Sequence, residues 1–562
     1  MKIGTIPSYE ELFGEPTPTI DSLIGHICSD DIIAYLALIN AELHNADEND
    51  LTFQKDLIGK LLNHWLPEVR NDFLKQILPF IQKNNNQFDF FKSVYITYFI
   101  HNELLNYRKI GCETKSKEES LILKAYFIYA IKYGKEQIEV AEIPLATDQF
   151  FFQKLTWPFN IKQFDFNEKI DPVFQLIRMA KFLEHLYLNP NYKEKVTAYL
   201  NHYGKDKVFN FVFDFMNIIN LSYSKRKDNS FYISIIKDTP GYSEILNNLS
   251  INIEDYKVKE NLQKDYLGIR QNPLLKINND QYIVLNWKFL LASAYVGIIF
   301  DFSRISKIPY NTLKNIAGEE ISETKIFRGI MQTAFYKKHR ILNFDNKNGT
   351  NGFPDFYLRD GNYIYLFEFK DYLVPTEIVA SNSYEVIRNF IDERFIQNQK
   401  GKSKGITQLL QHIIKIENGG FEFDNYENKS IKKRNLTIIP IIVTTHYHFQ
   451  MGGINTYLIK KMDEIVAEQD LLVKKVFPVT IIDFFFLFRQ VKRLKEKDID
   501  LLELIKKYHN YLQCNKENIF KANCSFEETF FTVFKNKGPA QKQTGYIDTI
   551  FNAVEIKPEL TN

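Results

Sequence analysis

The chain has 562 residues, enough for roughly two to four domains of ordinary size. Hydrophobic residues make up 45% and charged residues 25%, which excludes a collagen-like, low-complexity or disordered protein for the bulk of the chain. The 71 lysines and arginines nearly balance the 69 aspartates and glutamates, for a formal net charge of +2. This balance excludes a histone-like basic coat but permits a local basic groove.

The cellular location follows from three features. The N-terminal stretch 1–11 has no apolar core of a signal peptide, and the longest apolar run, Phe289–Phe300, is far shorter than the ~20 residues of a membrane helix. The cysteines form no C-x-x-C pair, which predicts reduced, mostly buried thiols and no zinc site: Cys28, Cys112, Cys514 and Cys524. We therefore expect a cytoplasmic protein with no membrane partner.

Residues 1–270 are predicted to form a mainly helical N-terminal domain. Apolar residues recur at three- and four-residue spacing in Asp31–Leu43, Phe53–Trp65 and Val94–Tyr107. No residue pattern there carries recognisable chemistry, so its role stays open, including a homo-oligomer or a protein partner bound through this region. Residues 271–310 are predicted to connect it to the rest of the chain through a strand, Gln281–Leu285, and a buried helix, Phe289–Phe302.

Residues 311–490 are predicted to form a compact α/β unit, and residues 491–562 a helical C-terminal extension. The first helix of the unit has Asn311 as its predicted N-cap. The predicted order is helix, two strands, helix, strand and short strand: Asn311–Tyr336, Asp355–Leu358, Tyr363–Lys370, Ile406–Ile416, Thr437–Thr444 and Val479–Ile482. The predicted fold class is therefore α/β (mixed), with helical regions on either side.

A tight turn joins the first two strands of this unit. Asp360-Gly361 is a strong two-residue hairpin signal, because both central positions of that turn type need positive φ. This register predicts Asp355 opposite Leu366. Since side chains alternate along a strand, it also puts Asp355 on the same sheet face as Glu368 and Lys370.

This arrangement predicts a metal-dependent hydrolytic site. Glu368 would be the diagonal neighbour of Asp355, at roughly 7–8 Å between backbones, which two carboxylate side chains bridge through an ion. Two oxygen ligands plus waters suit Mg²⁺, with Mn²⁺ as a substitute. Such an ion polarises a phosphoryl oxygen and lowers the pKa of a bound water, and Lys370 would orient that water or neutralise charge on the phosphate.

These residues resemble the PD-(D/E)xK nuclease superfamily, through Pro354-Asp355 followed by Glu368-Phe369-Lys370 in an apolar strand. The resemblance covers residues 311–490 and implies a restriction-endonuclease-like core. It also implies that Asp355, Glu368 and the Phe369 carbonyl bind the ion. A glutamate on the preceding helix would support it, with Glu323 as our choice and Glu320 as the rival.

The helix after the lysine strand extends the resemblance. Gln408 and His412 resemble the Q-x-x-x-Y element of the RecB-like branch, with histidine in place of tyrosine, which implies a catalytic role for Gln408. A nuclease must also hold a polyanion. The residues expected to contact nucleic acid are Lys402, Lys404, His412, Lys432, Lys433 and Arg434.

The sequence therefore predicts an Mg²⁺-dependent endonuclease that hydrolyses phosphodiester bonds, with DNA favoured over RNA. A bacterial role in defence against phage or foreign DNA is one association of such a fold with a large helical module. A repair or recombination nuclease, or an RNase, is the first alternative. A non-catalytic nucleic-acid-binding scaffold that keeps the fold is the second.

Overall fold

The structure is a computed structural model of the whole chain. It describes residues 7–44, 48, 50–83, 90–109, 116–138, 144–145, 147–167, 170–220, 235–237, 242–344, 352–424 and 432–533. The chain divides into two compact units, and each is described here by its own described residues. The first unit comprises Met1–Val140 and Phe166–Tyr310, and the second comprises Ala141–Asp165 and Asn311–Leu560.

The first unit is built from helices with one small sheet. Several helices have N-cap side chains. Ser8 forms a capping box with Glu11, and the Asp171 carboxylate accepts from the Phe174 N–H at the start of a helix whose first residue is proline. Its larger α-helices are Ser29–His44, Leu51–Asn63, Pro67–Lys83, Ser93–Leu105, Ser116–Ile138, Pro172–Leu188, Lys193–His202 and Val208–Asn220. Its shorter α-helices are Tyr9–Phe13, Ile20–Ile24, Ser243–Asn248, Ile253–Val258, Glu260–Gln263 and Leu267–Gln271.

The small sheet of this unit has three antiparallel strands in the order β1-β3-β2: β1 Ile235–Lys237, β2 Leu274–Lys276 and β3 Gln281–Val284. The helical run that follows β3 consists of Trp287–Ala292, a π-helical Ser293–Gly297 and Ile298–Ser306. Among the described helices this run alone has the length and composition to cross a bilayer. Just over half of it is buried inside the protein, as in the core helix of a soluble protein, so it carries no conclusion about a membrane.

The second unit places helices around a six-stranded sheet. Helix α1 is continuous from Tyr310–Asn315 through a π-helical Ile316–Phe327 to Arg328–Phe335. The other main helices are α2 Tyr384–Phe395, α3 Gly405–Glu417, α4 Ile454–Ala467, α5 Phe484–Glu496 and α6 Leu501–Cys514, and Phe151–Asn167 begins in this unit. The strands are β4 Ile341–Phe344, β5 Phe356–Asp360, β6 Tyr363–Lys370, β7 Thr437–Thr444, β8 Lys475–Val476 and β9 Thr480–Asp483.

The sheet of this unit is mixed. Its order is β4-β5-β6-β7, and β8 and β9 both pair with β7. The pairs β4–β5 and β5–β6 are antiparallel, whereas β7 runs parallel to β6, β8 and β9. The prediction of a protein that mixes helix and sheet is confirmed, with the six-stranded sheet in the C-terminal half.

The predicted turn of the β5–β6 hairpin is wrong by one position. Asp360 pairs with Tyr363, so Gly361 and Asn362 form the turn. Gly361 has φ +61°, and Asp360 instead belongs to the strand, where it forms an ion pair with Arg340. A type II′ turn needs positive φ only at its first central residue, and Gly361 provides it.

The corrected turn moves the register by two residues. Tyr357 pairs with Leu366 and Phe356 with Phe367, so extending the ladder by one position puts Asp355 opposite Glu368 rather than Leu366. Because side chains alternate with a period of two, a shift of two positions leaves each side chain on the face predicted for it.

The two sheet faces have different cores. The face of Tyr357, Ile364 and Leu366 packs against α2, α3 and α4 in one apolar cluster. On the other face, the Phe369 ring centroid lies 5.0 Å from that of Phe327 on α1 and 5.1 Å from that of Phe484 on α5. The hairpin is thus covered on both sides, and the side chains of Glu368 and Lys370 are almost fully removed from water.

Two further sequence predictions are corrected. The helix that was expected to begin after Asn311 begins at Tyr310, so Asn311 is helical and is not the N-cap. The cysteines in the described residues are free thiols, but they are not mostly buried, since Cys514 is exposed and Cys28 and Cys524 are half-buried. Cys112 lies outside the described residues.

The start of α3 depends on a glycine. Gly405 has φ +40°, and a Cβ atom there would lie 2.7 Å from the Phe395 carbonyl oxygen at the end of α2. We expect Gly405→Ala to destabilise the second unit by roughly 1–3 kcal/mol, because neither backbone segment can move aside cheaply. Urea unfolding measures this. Gly59→Ala is the control, since its helical site is open and alanine should stabilise it slightly; an equal response of the two variants would contradict the prediction.

Candidate active site

The predicted carboxylates and lysine meet on one face of the β5–β6 hairpin. The Lys370 Nζ atom donates to Glu368 Oε2 at 2.7 Å and lies 3.9 Å from Asp355 Oδ2. Asp355 Oδ2 also accepts from the Phe369 N–H at 2.6 Å. The Glu368 and Lys370 side chains are 2% and 8% exposed and that of Asp355 is 21% exposed. The cluster is therefore largely withdrawn from water but reachable from the Asp355 side.

The charges of this cluster are strongly coupled. Burial and the facing Glu368 carboxylate raise the pKa of Asp355 well above its usual range. Burial alone would also raise the pKa of Glu368, but Lys370 and His412 outweigh it and hold that pKa below its ordinary value. Burial acts to lower the pKa of Lys370, yet Glu368 and Asp355 raise it above the ordinary value. The favoured state is an ionised Glu368–Lys370 pair beside an Asp355 that retains its proton more readily than usual.

His412 belongs to this cluster and not to a solvated helix face. Its Nε2 atom lies 3.0 Å from Glu368 Oε1, and the residue is buried on α3. A proton on Nε2 would be donated to the carboxylate and would hold Glu368 in one orientation. His412 was expected to contact nucleic acid; the structure buries it against Glu368.

The helix acid is better placed at Glu323 than at Glu320. Besides burial and Glu368, Glu323 contributes to the raised pKa of Asp355, so its carboxylate lies within electrostatic range of the cluster; Glu320 is exposed. Glu323 lies in the π-helical part of α1, where the hydroxyls of Ser322 and Thr324 each donate to the carbonyl five residues earlier. Such π-helical turns often occur at functional sites.

The Phe369 carbonyl has a defined direction. The Thr445 N–H donates to the Lys370 carbonyl at 3.2 Å, so Lys370 directs its backbone towards β7. Successive residues alternate, and Phe369 therefore directs its carbonyl towards β5. The register puts Pro354 opposite, and proline has no N–H to donate. This carbonyl therefore receives no ladder hydrogen bond from that position, which leaves both of its lone pairs available to another partner.

The residues present fit a hydrated divalent cation. The oxygen donors are two facing carboxylates, Asp355 and Glu368, with the Phe369 carbonyl beside them, and Mg²⁺ characteristically binds through one or two carboxylates while keeping several waters. No three histidine, cysteine, aspartate or glutamate side chains are grouped as metal ligands anywhere in the described part of the chain. Glu323 therefore does not join Asp355 and Glu368 as a third side-chain ligand in this structure, and the donors available to a cation are the two carboxylates and the Phe369 carbonyl.

The other predicted site residues of α3 lie near its start. The Gln408 Oε1 atom accepts from the Gly405 N–H at 3.0 Å, so this side chain caps its own helix. Lys402 is exposed and Lys404 half-buried. Burial, followed by repulsion from Lys370, lowers the pKa of Lys404.

The second predicted basic cluster lies elsewhere. Lys432, Lys433 and Arg434 precede β7, whose first residue pairs with Tyr363, whereas Lys370 pairs with the last residue, Thr444. At ~3.3 Å per residue, the cluster is roughly 20 Å or more along the sheet from Lys370. The structure does not bring these three residues to the site.

Sequence analysis missed two contacts that hold the site in place. The carboxylate of Asp371, directly after Lys370, accepts from Lys314 Nζ on α1 at 2.7 Å and from the Thr445 hydroxyl. Lys415 Nζ lies 4.5 Å from the centre of the Phe353 ring, two residues before Asp355. In each contact the two residues are more than fifty positions apart in the sequence, so the sequence does not show that they meet. The one local hint was the acidic residue Asp371 directly after the strand.

Comparisons of the chain with models of protein families, with curated proteins and with solved structures found no match in any of the three.

Ionised Asp355 should destabilise the cation-free protein. Because its folded-state pKa is raised, the folded state binds more protons than the unfolded state, and stability falls as pH rises through that pKa. We expect Asp355→Asn to raise the melting temperature in EDTA, by about 2–4 °C for each kcal/mol relieved. The gain should be largest at alkaline pH and vanish below about pH 4.

Asp360→Asn is the matched control on the same strand. Asp360 forms an ion pair with Arg340, so its loss should lower the melting temperature slightly, by less than about 1 kcal/mol. Calorimetry across pH measures both variants. A stabilisation by Asp355→Asn that does not change with pH would contradict the electrostatic explanation.

Proposed function

We propose that this protein is a metal-dependent nuclease that hydrolyses phosphodiester bonds, with DNA as the favoured substrate. The observation that carries the proposal is that Lys370 Nζ lies 2.7 Å from Glu368 Oε2 and 3.9 Å from Asp355 Oδ2, so two acids and a lysine meet in one largely buried cluster. Burying two acids and a lysine has a desolvation cost that lowers the stability of the fold. A binding or catalytic role explains why a protein keeps such a cluster. Perturbed carboxylates in such a cluster support a catalytic role.

The proposed fold is a restriction-endonuclease-like core of the PD-(D/E)xK superfamily. The order of a helix with an acid, an antiparallel hairpin, a second helix and a parallel strand supports it: α1, β5–β6, α3 and β7. Under this proposal Asp355, Glu368 and the Phe369 carbonyl would hold the cation, with Glu323 in support.

The chain's own residues have distinct roles in the proposed reaction. A bound Mg²⁺ would polarise the phosphoryl oxygen and lower the pKa of its water. Lys370, kept protonated by the two carboxylates, would neutralise charge that develops on the phosphate or orient the attacking water. His412 would keep the Glu368 carboxylate oriented, and the apolar faces around the hairpin would exclude bulk water.

The test is incubation of the purified protein with supercoiled plasmid, linear duplex, single-stranded DNA and RNA, in Mg²⁺, Mn²⁺ or EDTA. Cleavage that needs the cation and is lost in Asp355→Asn supports the proposal. Asp360→Asn, a loss of one acid from the same strand, should cut like wild type. Cleavage that persists in Asp355→Asn, or the absence of cleavage of every substrate with either cation, would count against it.

Cation binding should depend on pH. Since the pKa of Asp355 is raised, the cation must displace a proton at pH values below it. We expect the Mn²⁺ affinity to rise about tenfold per pH unit in that range, with release of up to one proton. Titration calorimetry in two buffers of different ionisation enthalpy measures the release, and an affinity independent of pH would contradict this prediction.

A further inference from the structure

A group of positive side chains lies where α2 and α3 meet. The Lys404 N–H donates to the Ile396 carbonyl at 2.9 Å, and the Asn398 N–H donates to the Lys402 carbonyl at 3.0 Å. These bonds draw the connecting loop tight. They bring Arg394, in the last turn of α2, next to the two lysines that precede α3.

Arg394 is held in one orientation by aromatic rings. Its guanidinium carbon lies 5.1 Å from the centre of the Tyr372 ring and 5.2 Å from that of Phe390. Tyr372 comes two residues after Lys370, so this contact ties the arginine to the catalytic end of β6. The Arg394 Nε atom is buried and donates no hydrogen bond. Arg388 on the same helix shares this feature of Nε, so the distinguishing feature of Arg394 is a guanidinium held between two rings without an ion pair among the described residues, which is preorganised for an oxyanion.

The positive side chains of this group are not ion-paired within the described chain, although Glu368 opposes the repulsion that Lys404 experiences. Arg394, Lys402 and Lys404 form no ion pair with any carboxylate in the part of the chain that the structure describes. Burial, followed by repulsion from Lys370, Lys402 and Arg394, lowers the pKa of Lys404. By contrast, Arg388 on the same helix lies near Glu385 at 2.7 Å and near Asp392.

We propose that Arg394, Lys402 and Lys404 form a phosphate cradle that holds the backbone of a nucleic-acid strand beside the reacting phosphate. The inference rests on the proposed nuclease function and adds where that substrate is gripped. Helix α3 links the two places, since Lys404 precedes it and His412, eight residues later, contacts Glu368; at 1.5 Å per residue the separation is about 12 Å. A strand bound in the cradle is thereby presented to the carboxylates.

Equilibrium binding tests the cradle without requiring cleavage. Fluorescence anisotropy of a labelled oligonucleotide is measured in EDTA over a range of salt concentrations for wild type, Arg394→Gln and Lys404→Gln. Each variant should bind roughly tenfold or more weakly, because a charge-assisted hydrogen bond to phosphate is lost. Each should also flatten the logarithmic salt slope by about 0.7–1.

Matched variants separate this role from a structural one. Arg388→Gln, on the same helix and also beside a tyrosine ring, should leave affinity and slope unchanged because its charge is already balanced. Arg394→Lys should keep the salt slope and lose part of the affinity, since lysine has the charge but not the planar fork. Thermal melts identify any variant that fails to fold, in which case Lys404→Gln carries the test.

The outcomes distinguish the cradle from the nuclease. Wild-type-like affinity and salt slope in both Arg394→Gln and Lys404→Gln would overturn the cradle, even if the protein cuts. Weakened binding in these variants, together with no cleavage under any condition, would support the cradle as a binding site and overturn the nuclease. A wild-type protein that binds no oligonucleotide would overturn the cradle directly.

Discussion

Replacing Lys370 by methionine is expected to reduce cleavage by roughly 10²–10³-fold while leaving cation binding intact. Under the proposed nuclease function the loss follows because, among the described residues, Lys370 is the ammonium held between the two carboxylates to meet charge on the phosphate. Cation affinity should stay or increase, since the substitution removes a positive charge that competes for Asp355 and Glu368. Single-turnover plasmid cleavage and Mn²⁺ titration together measure the two effects.

The same substitution should also lower stability, because breaking a buried ion pair costs about 3–5 kcal/mol. Lys181→Met is the matched control: Lys181 is similarly buried and paired with Glu184, but it lies in the first unit. It should lower stability and leave cleavage unchanged. If Lys370→Met cut at the wild-type rate, or if it lost cation binding together with cleavage, the role given to Lys370 would be wrong.

The largest effect on stability alone is expected at Asp424. Arg359 Nη2 donates to Asp424 Oδ1 at 2.8 Å, Arg359 Nε donates to the other oxygen, and the Tyr357 hydroxyl donates to that oxygen at 2.7 Å. The Asp424 side chain is fully buried. Asp424→Ala would leave the Arg359 guanidinium buried without its partner, so we expect a loss of about 3–5 kcal/mol in urea unfolding.

The matched control for this prediction is Arg340→Gln. Arg340 pairs with Asp360 near the surface of the same hairpin, and its loss should cost less than about 1 kcal/mol. Replacing both Arg359 and Asp424 by leucine should recover part of the loss, because no charge is then left buried. The recovery stays partial since Tyr357 loses its acceptor. Equal costs for Asp424→Ala and Arg340→Gln would contradict the prediction.

The hairpin illustrates how far sequence reasoning reaches. The predicted turn is one position early, because Asp360-Gly361 and Gly361-Asn362 are both good turn dipeptides; in the structure Asp360 belongs to the strand and forms an ion pair with Arg340. The faces of Asp355, Glu368 and Lys370 were nevertheless predicted, since an error of two in register preserves the alternation. Extended one position past its last pair, Phe356 with Phe367, the register places Asp355 opposite Glu368 and not diagonal to it.

Several elements of the second unit could not be predicted from the local sequence pattern. The edge strand β4 has four half-buried residues with no alternation, and it is defined by its pairing with β5. Helices α2 and α4 were not predicted, and with α2 the whole environment of Arg394 was missed. The choice between Glu320 and Glu323 depends on the π-helical turns of α1, which sequence periodicity does not resolve.

The sequence by itself determined the chemistry available to this protein: two acids and a lysine in apolar strands, on one sheet face, followed by a helix with polar positions. The alternation of side chains along a strand and the apolar content of a strand are local properties, so the sequence of each strand shows them without knowledge of its neighbours. Only the tertiary structure decided that His412 contacts Glu368, that Lys432–Arg434 lie far from the site, and that the end of the helix that carries Arg394 meets Lys404. These contacts join residues tens of positions apart, and packing between helices and sheet sets them.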